Sequence, residues 1–199
     1  MVTARVMLAL GLSAAAASPL WAQGDGAGGT AQAGSTVSSP PLDDRLRPLA
    51  ALIGVWDTED RYETSTGPGV ERGIRTCRPV LMGRHIECVT SAPRRAGGER
   101  EYRFYFSWDE QRRSLILLQF WSDVAGFSVT TIRPTPGGGD SLDLRGAPQL
   151  LSDGRERRSW GTMTFESSGR LVWTGRANVS SEPLDAWRPV FREVSTKRP

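Results

Sequence analysis

A single histidine, His85, occurs in the chain, and its only two cysteines, Cys77 and Cys88, flank it. That scarcity removes most of the chemistry open to a small protein. Zinc takes four ligands, or three plus water, and Cys77, His85, Glu87 and Cys88 are the only candidates close together in sequence. On a strand His85 and Cys88 are separated by an odd step and point to opposite faces, so no shared metal is expected. A Ser-His-acid triad would need His85 as its base, yet no Gly-x-Ser-x-Gly turn is present to expose a nucleophile. Gly137-Gly138-Gly139 follows Pro136 and lacks the Gly-Lys-Ser/Thr ending of a phosphate cradle. It reads as a hairpin tip. Asp57, Glu59 and Glu63 alternate along one segment, but glycosidase carboxyls must face each other across a sugar, roughly 5 to 9 Å apart. One strand offers adjacency on a solvated face. Asn178-Val179-Ser180 matches the glycosylation sequon, a pattern too common to carry an assignment.

The stretch from Thr76 to Val89 says more. With its turn centred between Met82 and Gly83, Leu81 faces Arg84, Val80 faces His85, Pro79 faces Ile86, Arg78 faces Glu87 and Cys77 faces Cys88. An opposite-charge cross-strand pair and the only two cysteines then fall in one register. Pro79 has no N–H and belongs at a non-hydrogen-bonded position. Cys77 has the same phase, that of the closely approached pairs in which a cross-strand disulfide is least strained. This phase implies a four-residue loop, Leu81 to Arg84. An even cysteine count and an oxidising compartment complete the expectation of a Cys77–Cys88 disulfide. Arg78, His85 and Glu87 share the other face with Thr76, Val80 and Val89. The cysteine face, with Pro79, Leu81 and Ile86, is the more apolar, so it is expected to face the core. Arg78, His85 and Glu87 are then expected to point outward; pointing inward, they would be the polar end of a pocket.

The elements around this hairpin are short. Leu42 to Gly54 carries acids at its start, Gly at its end and Leu46, Leu49, Leu52 and Ile53 on one side, which predicts a helix that Pro48 limits to a turn or two. Beyond Gly54 the apolar period changes to two. Strands are expected over 55–63, 70–80, 84–91, 101–108, 114–121, 127–133, 141–145, 157–166, 170–178 and 187–194. On the first, Trp56, Thr58 and Tyr62 share a face. Ten short strands, each joined to its neighbour, predict an all-β, antiparallel up-and-down barrel with a short N-terminal helix, an arrangement that leaves no open edge. A two-sheet sandwich is the alternative.

Composition bounds the partners. The 199 residues carry a net charge of +3, and the basic residues, all arginine except Lys197, are interleaved with acids. Nucleic-acid binding wants a contiguous basic stripe, and none is present. Residues 1–22 read as a secretory signal peptide: Arg5, then an apolar run from Val6 to Ala17, then a small residue, Ala22, before the cut. The run is too short for a span of about 20 residues, so no stable membrane anchor is expected. Residues 23–41, rich in Gly, Ala and Ser, read as a disordered linker, and 42–199 as the barrel domain. The expected location is the periplasm or the medium.

The segment Leu49-Ala50-Ala51-Leu52-Ile53-Gly54-Val55-Trp56 and the later Leu81-Met82-Gly83-Arg84-His85-Ile86-Glu87 resemble the calycin-like bacterial proteins of unknown function described as lipocalin-like. The resemblance spans roughly residues 46 to 194 by organisation. It implies a β-barrel with an interior pocket for a small apolar or amphipathic molecule. Nitrobindin-like haem barrels share the Gly-x-Trp opening but ligate iron through a late histidine, and no histidine follows His85. No cofactor is expected.

Three functions remain in view. A non-catalytic binding barrel would use Trp56, Tyr105, Trp121, Trp160 and Trp173 as walls and Arg78, His85 and Glu87 as polar points, although alternating aromatics also simply fill cores. A small hydrolase or isomerase would use Glu87 and His85 for proton transfer, with Arg78 as anion clamp. A filled envelope barrel would have no small-molecule site.

Overall fold

A computed structural model describes residues 41–64, 67–93, 97–122, 124–137, 139–151, 153–166, 169–179 and 187–199. The expected leader (1–22), the linker up to residue 40 and Ser180 of the sequon lie outside the described residues.

The chain enters through a 3₁₀ helix, Asp44–Leu52, capped by Asp43, whose carboxylate accepts the Arg45 N–H. Runs of this type are usually short. Here Leu46, Leu49 and Leu52 recur every third residue, the period of a 3₁₀ helix, and all three are buried. The leucine spacing selects three residues per turn over 3.6. No described helix is long and apolar enough to cross a membrane.

Among the described residues eleven strands follow: β1 (Gly54–Thr64), β2 (Gly67–Val80), β3 (His85–Pro93), β4 (Glu99–Asp109), β5 (Ser114–Trp121), β6 (Val124–Pro134), β7 (Ser141–Gly146), β8 (Gln149–Leu150), β9 (Glu156–Glu166), β10 (Arg170–Val179) and β11 (Arg188–Lys197). Strands β1 to β7 pair in chain order, β9 joins β7 to β10, and β11 returns to β1. Every pairing is antiparallel. The sheet therefore closes as the expected up-and-down barrel of ten strands. The eleventh, β8, is a two-residue spur on β9, too short to leave a periodic signal. Strand β2 also starts earlier than expected, at Gly67, where it pairs with Thr64.

The β2–β3 hairpin has the expected register: Cys77 faces Cys88, Arg78 faces Glu87 and Val80 faces His85. Cys77 and Cys88 are bonded, with an S–S distance of 2.05 Å. The loop spans Leu81 to Arg84, and Gly83 takes φ +77° there. A Cβ at Gly83 would strike the Pro41 carbonyl, because the incoming chain crosses this loop and Asp43 N–H donates to Gly83 O at 3.0 Å.

Alternation sorts the strands into two faces. Trp56, Cys77, Ile86, Cys88, Phe104 and Phe106 are buried inside, joined by the helix leucines in one core. Strand direction then defines two ends. The helix sits where β1 begins and β2 finishes, and Trp56 Nε1–H donates to Leu52 O at 2.7 Å there. That half is filled with apolar side chains; the other is not.

Candidate functional site: the barrel cavity

The half of the barrel away from the helix encloses a cavity of about 500 Å³. Strands β2, β1 and β11 carry its acids and Arg75 in cross-strand rows, and β4 adds Arg100 and Tyr102. At the mouth, Tyr62 pairs with Gly69 and with Phe191, and Phe191 pairs with Gly175. A Cβ at Gly69 would lie 2.6 Å from the Tyr62 ring, and one at Gly175 would run into Phe191. The two glycines leave the space that these rings fill.

One row deeper stand three acids. Asp60 on β1 faces Glu71 on β2 and Glu193 on β11, and like charges directly opposite one another are unfavourable. Two of the three are compensated. Glu193 is clamped by Arg75, Nη1 to Oε1 at 2.6 Å and Nη2 to Oε2 at 2.7 Å, and also accepts from the Ser195 hydroxyl at 2.7 Å. Arg75 Nε donates to Thr90 Oγ1 at 2.8 Å, while its guanidinium lies 5.0 Å from the centre of the Phe104 ring. Arg75 and Glu193 are 3% and 6% exposed, so their charges survive burial by fully satisfying each other. Glu71 accepts the Tyr102 hydroxyl and lies 3.7 Å from Arg100. Burial and the Glu71 carboxylate together hold the Tyr102 phenol above its ordinary range.

Asp60 is the exception. Its Oδ1 is buried and has no hydrogen-bond partner. Burial first, then Glu193 and Glu71, push its carboxyl up to about 7, against the pull of Arg75 and Arg100. Phe104, Trp121, Trp173 and Phe191 supply the apolar walls. Among the described residues, no three His, Cys, Asp or Glu side chains are placed to hold a metal.

The sequence-predicted residues divide. Trp121 and Trp173 line the cavity. Trp56 faces inward but lies in the filled half, 2% exposed and away from the cavity lining. Tyr105 and Trp160, expected in the wall, lie on the outer surface, because their strands turn Phe104, Phe106, Gly161 and Met163 inward instead. Tyr105 packs edge-on against Phe120 at 6.0 Å. Trp160 lies under the guanidinium of Arg145 and donates to Asp143.

Arg78, His85 and Glu87 point outward, as the more apolar cysteine face required. The cluster is more closely covered than a bare surface pair. Glu87 is 7% exposed, takes Arg78 Nη2 at 2.9 Å and the Tyr105 hydroxyl at 2.8 Å, and has Arg103 at 3.7 Å. The Tyr105 hydrogen bond, with Arg78, holds its carboxyl below the usual carboxylate range. His85 lies apart, in a surface recess with Asp43, Arg84 and Glu110. Asp57 and Glu59 are solvent-side ion-pair partners of Arg198 and Arg72.

Asp60, Glu71, Arg75, Tyr102 and Glu193 were not singled out by the sequence. The period of two places Asp60 with Trp56, Thr58 and Tyr62, both Glu71 and Arg75 with Cys77, and Tyr102 with Phe104 and Phe106. That signal was available for four of the five. Glu193 becomes opposite Asp60 only through the β1–β11 closure, which local pattern does not specify.

No protein-family model matches the chain, and no curated protein matches it. Among solved structures it is similar to Rv2717c from M. tuberculosis, with a TM-score of 0.53 and 14% identity over 80% of this chain and 100% of that one. A redesigned β-barrel gives a TM-score of 0.38 and 11% identity over 77% of this chain and 96% of that one. At 14% identity the likeness to Rv2717c concerns the barrel fold alone.

Proposed function

We propose that this chain is an exported, lipocalin-like binding protein that takes a small amphipathic molecule into the open half of the barrel and does not transform it. The observation that carries the reading is the cavity of about 500 Å³, a volume in the range of small-molecule sites, with aromatic walls and a few convergent polar groups. Proton transfer by Glu87 and His85 has less support: both lie on the outer surface, and Glu87 is already an acceptor for Arg78 and Tyr105. The leader-like residues 1–22 support export, and a disulfide suits an oxidising compartment.

A dye-displacement screen of the mature domain tests the reading. A polarity-sensitive fluorophore should bind saturably, quench Trp121 and Trp173 emission by energy transfer, and be displaced by amphipaths. Absence of saturable binding by any amphipath would leave a filled barrel as the better account.

A further inference from the structure

We propose that the ligand of this cavity carries a cationic amine, and that Asp60, at the centre of the Glu71–Asp60–Glu193 row, is the residue that holds it. The inference rests on the binding role proposed above and adds the chemical class of the ligand.

The argument is one of charge pairing inside a closed wall. An anionic head group, the usual polar end of a fatty amphipath, would need an available cation. The charge of Arg75 is already balanced, because Nη1 and Nη2 each donate to one oxygen of the Glu193 carboxylate and Nε donates to Thr90. Arg100 stands beside Glu71, with its guanidinium 4.6 Å from the centre of the Tyr102 ring, and the third lining arginine, Arg157 on β9, pairs with Val179 four residues beyond Gly161 of the mouth row, away from the acids. What the deep wall leaves unanswered is a carboxylate oxygen, Asp60 Oδ1, buried without a donor. Buried acceptors of this kind are rare unless something outside the chain meets them. An alkylammonium meets both needs at once: its N–H groups donate to Oδ1, and its charge offsets an acid flanked by two other acids. The rings around the row suit the same guest, since cations are attracted to aromatic faces. The rest of the molecule would lie against Trp121, Trp173 and Phe191.

A pH signature follows from the groups that face Asp60: Glu71 and Arg75 on β2, Glu193 on β11, and Arg100 and Tyr102 on β4. With its carboxyl pushed up to about 7, Asp60 must release a proton for the ammonium to pair with it. Affinity for an amine should therefore rise about tenfold between pH 6 and pH 8, a range in which an alkylamine stays protonated.

The test uses three probes that share one chain and differ in head group: decylamine, decanol and decanoate, titrated calorimetrically into the disulfide-bonded mature protein. Decylamine should bind at least tenfold more tightly than the other two at pH 8, with the rise just described. Asp60→Asn should abolish that rise and bring decylamine to within about threefold of decanol, while decanol itself changes little. Equal binding of all three probes, or preference for decanoate, would overturn the amine assignment and leave the binding role standing. An unchanged amine preference in Asp60→Asn would do the same. Failure of all three to bind would overturn the binding role, and the amine with it.

Discussion

Asp60 and Glu87 are both largely buried carboxyls, and their surroundings drive them in opposite directions. Asp60 has burial and two acids against it, so its folded-state carboxyl titrates near 7, whereas an unfolded aspartate titrates at about 4. The native state holds the extra proton between those values. This group accordingly favours folding below about pH 4, and its contribution is lost as the pH rises through 7. Relative to Asp60→Asn, the unliganded wild type should lose about 2 kcal/mol between pH 5 and pH 8. Urea melts of both proteins at the two pH values check this, and parallel behaviour of the pair would refute it. Glu87 has donors instead of rivals. Its carboxyl is depressed, chiefly by the Tyr105 hydroxyl, so its stabilising effect is present above the unfolded value and fades as the pH falls through the folded one. Glu87→Gln should cost about 1 kcal/mol through weakened charge-assisted bonds. His85→Ala should shift stability by no more than about 0.5 kcal/mol. Neither variant touches the cavity wall, so amphipath affinity should stay within twofold of wild type. A several-fold loss in either would return the outer cluster to consideration as a site.

Elements carry a different set of expectations. The Cys77–Cys88 bond closes a loop of sequence separation 11, short enough that chain entropy supplies about 3 kcal/mol at most. Thiol titration of protein denatured without reductant should find no free cysteine, and two reactive thiols would disprove the pairing. The Cys77→Ala, Cys88→Ala double variant should fold with a lower melting midpoint, because the hairpin keeps its Arg78–Glu87 pair and its neighbours β1 and β4. At the mouth, Gly175 is glycine because Phe191 occupies the space over it. Gly175→Val should swing that ring away. It should weaken any amphipath at least fivefold while the far-ultraviolet circular dichroism stays that of an intact barrel, and unaltered affinity would show that the mouth row plays no part in binding.

Across the whole molecule, pattern and closure were legible to different degrees. The period of two revealed ten strands, and the Pro79 phase, the cysteine pair and the Arg78–Glu87 pair set the β2–β3 register, because all of that information is local. The outward direction of Arg78, His85 and Glu87 was legible for the same reason: the cysteine face was the more apolar. Tyr105 and Trp160 were misplaced because aromatic rings occur on both faces of these strands, so ring content alone does not distinguish lumen from surface. The acid row was missed for a further reason. Its members come from three strands, and the meeting of Asp60 with Glu193 depends on the last strand finding the first.

That β1–β11 seam also governs when the barrel can come into being. Trp56 to Tyr62 pair with Phe191 to Lys197, so the ring has two unpaired edges until nearly the whole chain is available. Contacts so distant in sequence form slowly, and open edges recruit other strands in the meantime. A chain made from its N-terminus reaches this state with β1 emerging first and waiting for β11. Its early strands are therefore exposed to aggregation for the whole interval, and holdase chaperones that bind the β1 edge should matter more to yield than any agent acting on the finished barrel. Deleting residues 188–199 would make the interval permanent, and the expected product is aggregate instead of a nine-stranded barrel.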